Sequence, residues 1–319
     1  MNLKLTLYRK KERIKRQLYR INNGSCIVLL YHRIINSDYD PQGLCVSIDN
    51  FKNQLTEIKN THTVLTTADF FDRLTNGKRF PKKSVFITFD DGYADNYLNA
   101  VPVLENLDLQ AMFYISLKNI NTNSIFWWDE IDLIFQQIEQ TNPPINHLLQ
   151  LHQCADIKLL YAFYINQCKL SPSVEKRENY LNELRQLNTT ITSENYRSLT
   201  QPELIKMSCS KSVTIGAHTI NHLSLGHLTR ANQQYEIETS VIELENILSA
   251  KIKHFSFPYG EEHNYNTTTI EICKHLALSS AAANYQDDVT KGTPIYSFPR
   301  FVVRNVSASI LIQQLNSIV

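Results

Sequence analysis

The feature that most constrains the fold is an apolar run, residues 85–93 (VFITFDDGY), that ends abruptly in two acids and a glycine. Its first five residues are all β-branched or aromatic, which predicts a buried strand. Asp90 and Asp91 then fall where that strand leaves the core. Two neighbouring carboxylates repel each other unless a cation or a partner separates their roles. A turn capped by an aspartate is the alternative interpretation.

Further apolar runs predict strands that alternate with helical sequence. The predicted strands are residues 26–31, 85–89, 111–115, 213–217, 254–257, 276–283 and 296–303. Strand–helix–strand units of this spacing favour parallel pairing. We therefore expect an α/β fold, a distorted (β/α) barrel of about seven parallel strands with reactive residues at the C-terminal strand ends. An open doubly wound sheet is the alternative.

Residues 121–200 interrupt this alternation. They are rich in Asn, Gln and Leu, contain Pro143 and Pro144, and have helical periodicity, so we interpret them as a mostly helical insertion. Both tryptophans of the chain, Trp127 and Trp128, lie near its start. Paired tryptophans pack in a core or, beside a cleft, provide a platform for sugar stacking, which makes Trp128 a candidate substrate contact.

Composition narrows the class of protein. A hydrophobic content of 43% with 20% charged residues describes a globular chain that is neither disordered nor embedded in a membrane. The net charge of +1 gives no electrostatic reason to expect a nucleic-acid partner. The six cysteines are scattered and form no Cys-x-x-Cys pair, so we interpret them as free thiols of a reducing compartment and disfavour a cysteine zinc site.

The N-terminal residues, 1–24, are set apart by charge from the main domain, 25–319. Eight Lys and Arg side chains stand against one acid, Glu12, in the first twenty residues. No apolar h-region follows and no run of about 18 apolar residues occurs, so the sequence predicts neither a secretory signal nor a transmembrane helix. This segment suits peripheral contact with an anionic membrane, and a solvated basic helix is the alternative. We expect a cytoplasmic protein.

Two histidines four residues apart follow the strand predicted at 213–217. His218 and His222 would project to the same side of a helix or tight turn. Neutral imidazole is the usual nitrogen ligand of zinc, and one carboxylate completes a three-ligand site with an open position. The spacing of the two histidines alone is only a weak indication of metal binding, so the interpretation depends on the other motifs in the chain.

Three motifs occur in order, each where an apolar strand ends: TFDDGY at 88–93, HTINH at 218–222 and FPYG at 257–260. Together they resemble the motifs of the polysaccharide deacetylase family, the NodB-homology domains of carbohydrate esterase family four. The likeness runs from about residue 28 to residue 303 and leaves out the basic segment and the insertion.

The resemblance implies a role for each matched residue. Asp91, His218 and His222 would bind one divalent metal ion, with zinc the expected ion, and Asp90 would be the general base that takes a proton from water. Successive strand-end side chains point different ways, so one acid can face the metal while the other faces the water.

The third motif would supply the substrate side of the site. The backbone N–H of Tyr259, which follows Pro258, would help to stabilise the oxyanion of the reaction. The implied reaction removes an N-acetyl group from an amino sugar of a polysaccharide or glycan precursor and leaves a free amine.

The sequence departs from the family pattern twice. Many relatives carry an arginine before the proline of the third motif, where this chain has residues 255–257 (FSF). Arg300 is our candidate to reach Asp90 from another strand, with a surface ion pair as the alternative. The family's late Leu-x-His motif, whose histidine is the general acid, is also missing, because no histidine follows His275. His32, at the end of the first strand, is the substitute, either as proton donor or as a pocket-lining residue.

Three functions stay open on the sequence. The leading one is a metal-dependent N-deacetylase acting on an N-acetylated saccharide. The second keeps the hydrolysis but acts on a lipid-linked amino sugar, as a deformylase or deacylase, which the basic N-terminus would suit. The third is a sugar-binding pseudoenzyme that keeps the pocket but lacks the late acid. The set Asp90, Asp91, His218 and His222 disfavours it, because a binding protein needs no base beside a metal.

Overall fold

The structure is a computed structural model that describes residues 24–141, 145–187 and 194–318. The basic segment up to residue 23, Pro143 and Pro144 lie outside the described residues. The strands are β1 (Cys26–Tyr31), β2 (Arg33–Ile34), β3 (Cys45–Val46), β4 (Thr63–Val64), β5 (Ser84–Phe89), β6 (Ala111–Ile115), β7 (Val213–Ala217), β8 (His254–Ser256), β9 (Ser280–Ala282) and β10 (Phe301–Val302). The α-helices are α1 (Ile48–Thr61), α2 (Thr67–Asn76), α3 (Val101–Asn106), α4 (Trp127–Thr141), α5 (Asn146–Leu151), α6 (Ile157–Lys169), α7 (Val174–Arg185), α8 (Gln201–Ser208), α9 (Arg230–Leu248), α10 (Thr267–His275) and α11 (Ala308–Ile318).

Eight strands form one parallel sheet. Seven follow the order β10-β1-β5-β6-β7-β8-β9, and β4 adds beside β5. β1 and β5 are buried along their whole length, as expected for parallel strands covered on both faces. These seven strands confirm the predicted distorted (β/α) barrel.

One stretch, residues 295–302, reaches both edges of the sheet. Beside β9, the Ala281 N–H donates to the Ile295 carbonyl at 3.1 Å, and the Ala283 N–H donates to the Phe298 carbonyl at 2.9 Å. Three residues after Phe298 the same stretch becomes β10, which pairs with β1. Arg300 therefore lies between two points that are each fixed by hydrogen bonds to a different edge of the sheet.

Two predicted strands are much shorter in the structure. The run at 276–283 was predicted as one strand, but its first residues end α10: Leu276 is the C-cap, and Ala277 has a left-handed φ of 55°. The strand predicted at 296–303 pairs with β1 only over Phe301–Val302. In both cases an apolar run packs against the core without forming a continuous ladder, which periodicity alone does not distinguish from a strand.

Helix ends follow the local sequence. Ser47 and Thr66 cap α1 and α2 through their hydroxyls, and Gly77 closes α2 in the left-handed conformation. Thr200 and Glu203 form a complete capping box at the start of α8. Pro102 lies in the first turn of α3, after a π-helical turn.

The described part of residues 121–200 is mostly helical, and its helices α4 to α7 have an apolar cluster of their own. The cluster joins Trp127, Trp128, Ile131, Phe135, Tyr164 and Leu184 with Tyr93 of the main domain. The sheet and its covering helices form the larger core. Within the described residues no helix is long and apolar enough to cross a membrane.

Candidate active site

The polar residues of the three motifs meet at one edge of the sheet. β5 ends directly before Asp90, β7 ends directly before His218, and β8 ends two residues before Pro258. Because β5, β6, β7 and β8 are parallel neighbours, their C-terminal ends lie side by side.

Asp91, His218 and His222 form a buried group with the donor set of a metal site. One ligand atom from each lies within 4.8 Å of the others. Asp91 Oδ1 is 3.6 Å from His218 Nε2 and 3.3 Å from His222 Nε2. It is buried and accepts no hydrogen bond from any described residue. An orphaned carboxylate oxygen facing two imidazole nitrogens fits a divalent cation, and two histidines with one carboxylate is a known zinc donor set.

The two histidines are oriented differently. His218 Nδ1 lies 2.8 Å from the Ser256 carbonyl, so that nitrogen carries the proton and the lone pair of Nε2 is left free to bind a metal ion beside Asp91. His222 Nδ1 is buried and has no partner among the described residues. Burial lowers the pKa of His222 to about 4, which keeps its imidazole neutral at pH 7.

Asp90 is held by Arg300. Nη1 and Nη2 of Arg300 each donate to one carboxylate oxygen of Asp90 at 2.7 Å, and Nε donates to the Ala283 carbonyl at 2.9 Å. Arg300 as a whole is 1% exposed. Burial alone would raise the pKa of Asp90, but Arg300 together with the neighbouring His218 and His32 outweighs it and holds this pKa below its usual range. Arg300 thus lies against Asp90 and forms no surface ion pair.

The turn after β5 is tight. Asp91 has a left-handed φ of 78° and Gly92 has a φ of 89°. A Cβ on Gly92 would lie 3.0 Å from the Ile115 side chain. The backbone is fixed on both sides, because the Ser116 N–H donates to the Asp91 carbonyl at 3.1 Å and the Leu199 N–H to the Gly92 carbonyl at 3.0 Å. This turn lets two consecutive acids have different partners.

His32 follows β1 and lines the same cavity as the acids. It is partly buried, and burial lowers its pKa despite the neighbouring Asp91 and Asp90 carboxylates. Both alternatives that the sequence leaves for His32, proton donor and pocket lining, are compatible with this place.

The third motif contributes Tyr259. It has a left-handed φ of 62°, its ring lies 4.7 Å from the His222 ring, and its hydroxyl donates to the His222 carbonyl at 3.3 Å. Pro258 is buried and does not line the cavity.

Trp128 lines the cavity, but its contacts are those of a packing residue. It is 3% exposed, its ring stacks on Phe126 at 4.5 Å, and it lies 4.6 Å from the His222 ring. Its indole N–H donates to the Tyr93 hydroxyl at 2.7 Å. Little of the ring is left for a sugar, so the packing alternative is the one that these contacts support.

The cavity around these residues has a volume of about 240 Å³. Its walls come from both parts of the chain: the main domain supplies His32, Asp90, Asp91, His218, His222, Tyr259 and Arg304, and the helical region supplies Trp127, Trp128, Ile165 and Lys169. Lys169 pairs with Glu261 at 2.9 Å above the Tyr259 ring. The helical region therefore forms one wall of the site.

Sequence reasoning missed Ser256. Its hydroxyl donates to Asp90 at 3.2 Å and accepts from Arg300 at 2.7 Å, while its carbonyl orients His218. The available signal was a serine at the end of the otherwise apolar run at 254–257.

The family profile described as polysaccharide deacetylase matches residues 77–147 and 166–281, more than half of the chain. The chain belongs to the polysaccharide deacetylase family. This family membership and the fold make the protein a hydrolase of the N-acetyl sugar deacetylase class. The profile spans all three motifs, as the resemblance in the sequence implied. It also covers residues 121–147 and 166–200, which that resemblance had left out.

Two curated relatives are similar in sequence to this polysaccharide deacetylase. YxkH of Bacillus subtilis strain 168 is 21% identical over 274 residues, which cover 86% of this chain and 69% of YxkH. The poly-beta-1,6-N-acetyl-D-glucosamine N-deacetylase of Staphylococcus epidermidis is 24% identical over 178 residues, covering 50% of this chain and 61% of that protein.

Solved structures share the fold. The Streptococcus pyogenes deacetylase PplD, in complex with acetate, superposes with a TM-score of 0.60 at 19% identity, covering 91% of this chain and 98% of that chain. IcaB from Ammonifex degensii gives a TM-score of 0.60 at 16% identity, covering 91% of this chain and 97% of that chain.

Proposed function

We propose that this polysaccharide deacetylase is metal-dependent and removes the N-acetyl group from an amino sugar of a glycan. The observation that carries the proposal is the group Asp91, His218 and His222 lying beside the Asp90–Arg300 pair in one cavity. A binding protein would have no use for a buried carboxylate that Arg300 keeps ionised next to a metal donor set.

The residues divide the reaction among them. Asp91, His218 and His222 would hold the ion, whose chemistry when bound is to polarise the amide carbonyl and to lower the pKa of water. Asp90 takes a proton from the attacking water, and Arg300 fixes the carboxylate for that transfer. His32 donates a proton to the leaving amine, and the Tyr259 N–H stabilises the oxyanion.

The substrate class follows from the relatives and from the cavity. The relative from S. epidermidis is named for poly-beta-1,6-N-acetyl-D-glucosamine, which supports an N-acetylated glucosamine saccharide as the substrate here. A second candidate, a lipid-linked amino sugar that bears phosphate, is favoured by one observation: the Arg304 guanidinium lines the cavity and contacts backbone carbonyls.

The test is release of free amine from a panel of N-acetylated glucosamine oligomers and acetamido-sugar phosphates. We expect hydrolysis by the wild-type protein and loss of at least about 100-fold in Asp90→Asn, which keeps the shape but removes the base. Activity confined to the phosphate-bearing sugars would select the second candidate. Hydrolysis that Asp90→Asn leaves unchanged would contradict the assigned base.

Metal content is measured on the same preparations. Elemental analysis should give close to one divalent ion per chain in the wild-type protein and a loss of that ion in His218→Ala. A fully metal-free protein that retains full activity would overturn the proposed metal dependence.

A further inference from the structure

The turn that carries His222 is held from outside by the helical insertion. Between β7 and the 3₁₀ turn Leu225–His227, Thr219 and His222 both have left-handed φ values, 66° and 50°. Neither is glycine, so this backbone is unfavourable unless surrounding contacts impose it.

His222 lacks the contact that usually orients a metal ligand. A ligating histidine normally donates its second ring N–H to a carbonyl or carboxylate. His218 does so through Nδ1 to Ser256, whereas His222 Nδ1 has no partner among the described residues. The direction of the His222 ring therefore depends on its backbone and on the Trp128 and Tyr259 rings beside it.

Two charged residues hold that backbone from opposite directions. On the main-domain side, the Glu236 carboxylate of α9 accepts from the Asn221 N–H at 2.8 Å and from the Ile220 N–H at 3.1 Å. On the insertion side, Arg177 of α7 donates Nη2 to the Asn221 carbonyl at 2.8 Å and Nη1 to the His222 carbonyl at 3.3 Å.

Arg177 is buried against this turn and not in an ion pair with a described carboxylate. It is 1% exposed, and no carboxylate among the described residues lies within ion-pair distance of it. Its only hydrogen-bond acceptors there are the two carbonyls of the turn, and its guanidinium lies 5.9 Å from the Trp127 ring centroid. Burying a guanidinium is costly, so its placement on these carbonyls points to a role in the turn.

We propose that Arg177 is a positioning residue for the metal site, through which the insertion fixes the His222 ligand. This inference rests on the proposed metal dependence. It gives the helical insertion a second task besides forming a wall of the cavity: α7 supplies the side-chain donor from the insertion to the Asn221 and His222 carbonyls.

The experiment measures metal binding directly. Affinities for Zn²⁺ and Co²⁺ are determined by competition with a chromophoric chelator for the wild-type protein, Arg177→Gln, Arg177→Lys and Arg185→Gln, together with thermal unfolding of the metal-free proteins and the visible spectrum of bound Co²⁺. Arg185 is the matched control, because it lies on the same helix but pairs on the surface with Glu130 and Glu178.

We expect Arg177→Gln to weaken metal binding by roughly 10- to 100-fold and to change the Co²⁺ spectrum, as loss of a partner that orients a ligand does. Arg177→Lys should recover part of the affinity, and Arg185→Gln should keep wild-type affinity. If Arg177→Gln fails to fold, the metal affinity and the Co²⁺ spectrum of Arg177→Lys test the inference instead.

Wild-type affinity and spectrum in a folded Arg177 variant would overturn the inference, as would an equal loss in Arg185→Gln. Wild-type protein that binds neither ion would overturn the proposed metal dependence and this inference together. Metal binding by the wild-type protein without hydrolysis of any acyl sugar would overturn only the proposed activity.

Discussion

Asp90 shows how one side chain can be both buried and ionised. A carboxylate out of water normally protonates, but the two equal hydrogen bonds from Arg300 compensate for the lost hydration. Ser256 adds a third contact and joins both members of the pair. The carboxylate is thereby available as a base at neutral pH.

The substitution Arg300→Gln tests whether Arg300 keeps Asp90 ionised. Removing the guanidinium should raise the pKa of Asp90, so the acidic limb of the pH–rate profile should move to higher pH because only the ionised carboxylate accepts a proton. We expect kcat/KM at neutral pH to fall by roughly 100-fold. Arg230→Gln, which removes an exposed ion pair with Glu271, is the control. An unshifted acidic limb would count against the assigned role.

The substitution His32→Gln tests whether His32 is the proton donor. A general acid works in its protonated form, so the wild-type rate should decline as the pH rises through the pKa of His32, which burial holds below its ordinary value. The variant should lose this basic limb and most of its rate. A variant whose profile keeps both limbs would leave His32 as a residue that only lines the pocket.

At the scale of elements, the turn after β5 depends on a segment far away in the sequence. The Ala94 N–H donates to the Arg197 carbonyl at 3.1 Å, and Leu199 bonds to Gly92. Directly after this segment, the Thr200 hydroxyl accepts from the Glu203 N–H, and Arg197 donates to both Glu203 oxygens at 2.7 and 2.8 Å. The start of α8 thus anchors the backbone that supports the acids.

Thr200→Ala tests this anchor. Loss of the capping hydroxyl should lower the free energy of unfolding by about 1 kcal/mol, measured by urea denaturation. Thr200→Ser keeps the oxygen and should remain close to the wild-type value. Equal stability of the Ala and Ser variants would show that the capping box contributes nothing measurable.

How much the sequence could predict also differs between elements. The run ending at Asp90 and the strand before His218 were predicted within one residue, because a buried strand that stops at a polar residue is a local signal. The pairing of residues 295–302 with two strands was not predictable, since it depends on which edges meet in space. Glu236 and Arg177 were missed for the same reason: a charged residue on a helix gives no local sign that a neighbouring turn will bury it.

For the whole molecule, a buried charge network connects the main domain with the insertion. Arg33 pairs with Asp95 at 3.1 Å and lies 3.9 Å from Asp129 of α4. The Tyr93 hydroxyl donates to Asp129 at 2.7 Å and accepts from Trp128. Burial raises the pKa of Asp129 to about 8, so its protonated form is favoured in the folded protein.

This network predicts a pH dependence of stability. The folded-state pKa of Asp129 exceeds the unfolded value of about 4, so the free energy of unfolding should decrease as the pH rises from 4 to 8, by at most about 1.4 kcal/mol per pH unit. Asp129→Asn should remove that slope. In urea titrations at pH 5 to 8, the stability of the variant relative to the wild-type protein should increase with pH.

Asp132→Asn is the matched control. Burial raises the pKa of Asp132 only to about 6. Its substitution should therefore flatten the pH dependence of the free energy of unfolding below pH 6 and leave that dependence unchanged between pH 6 and pH 8. Identical pH dependence in the wild-type protein and Asp129→Asn would contradict the assignment.

The stretch at 295–302 has a consequence for biosynthesis. Asp90 and Arg300 are 210 residues apart in the chain, and Arg300 reaches its partner only where that stretch spans from β9 to β1. During translation Asp90, Asp91, His218 and His222 all leave the ribosome well before Arg300 does. A nascent chain can therefore fold most of its sheet while Asp90 still lacks its partner, and the Asp90–Arg300 pair forms only when the sheet edges are joined.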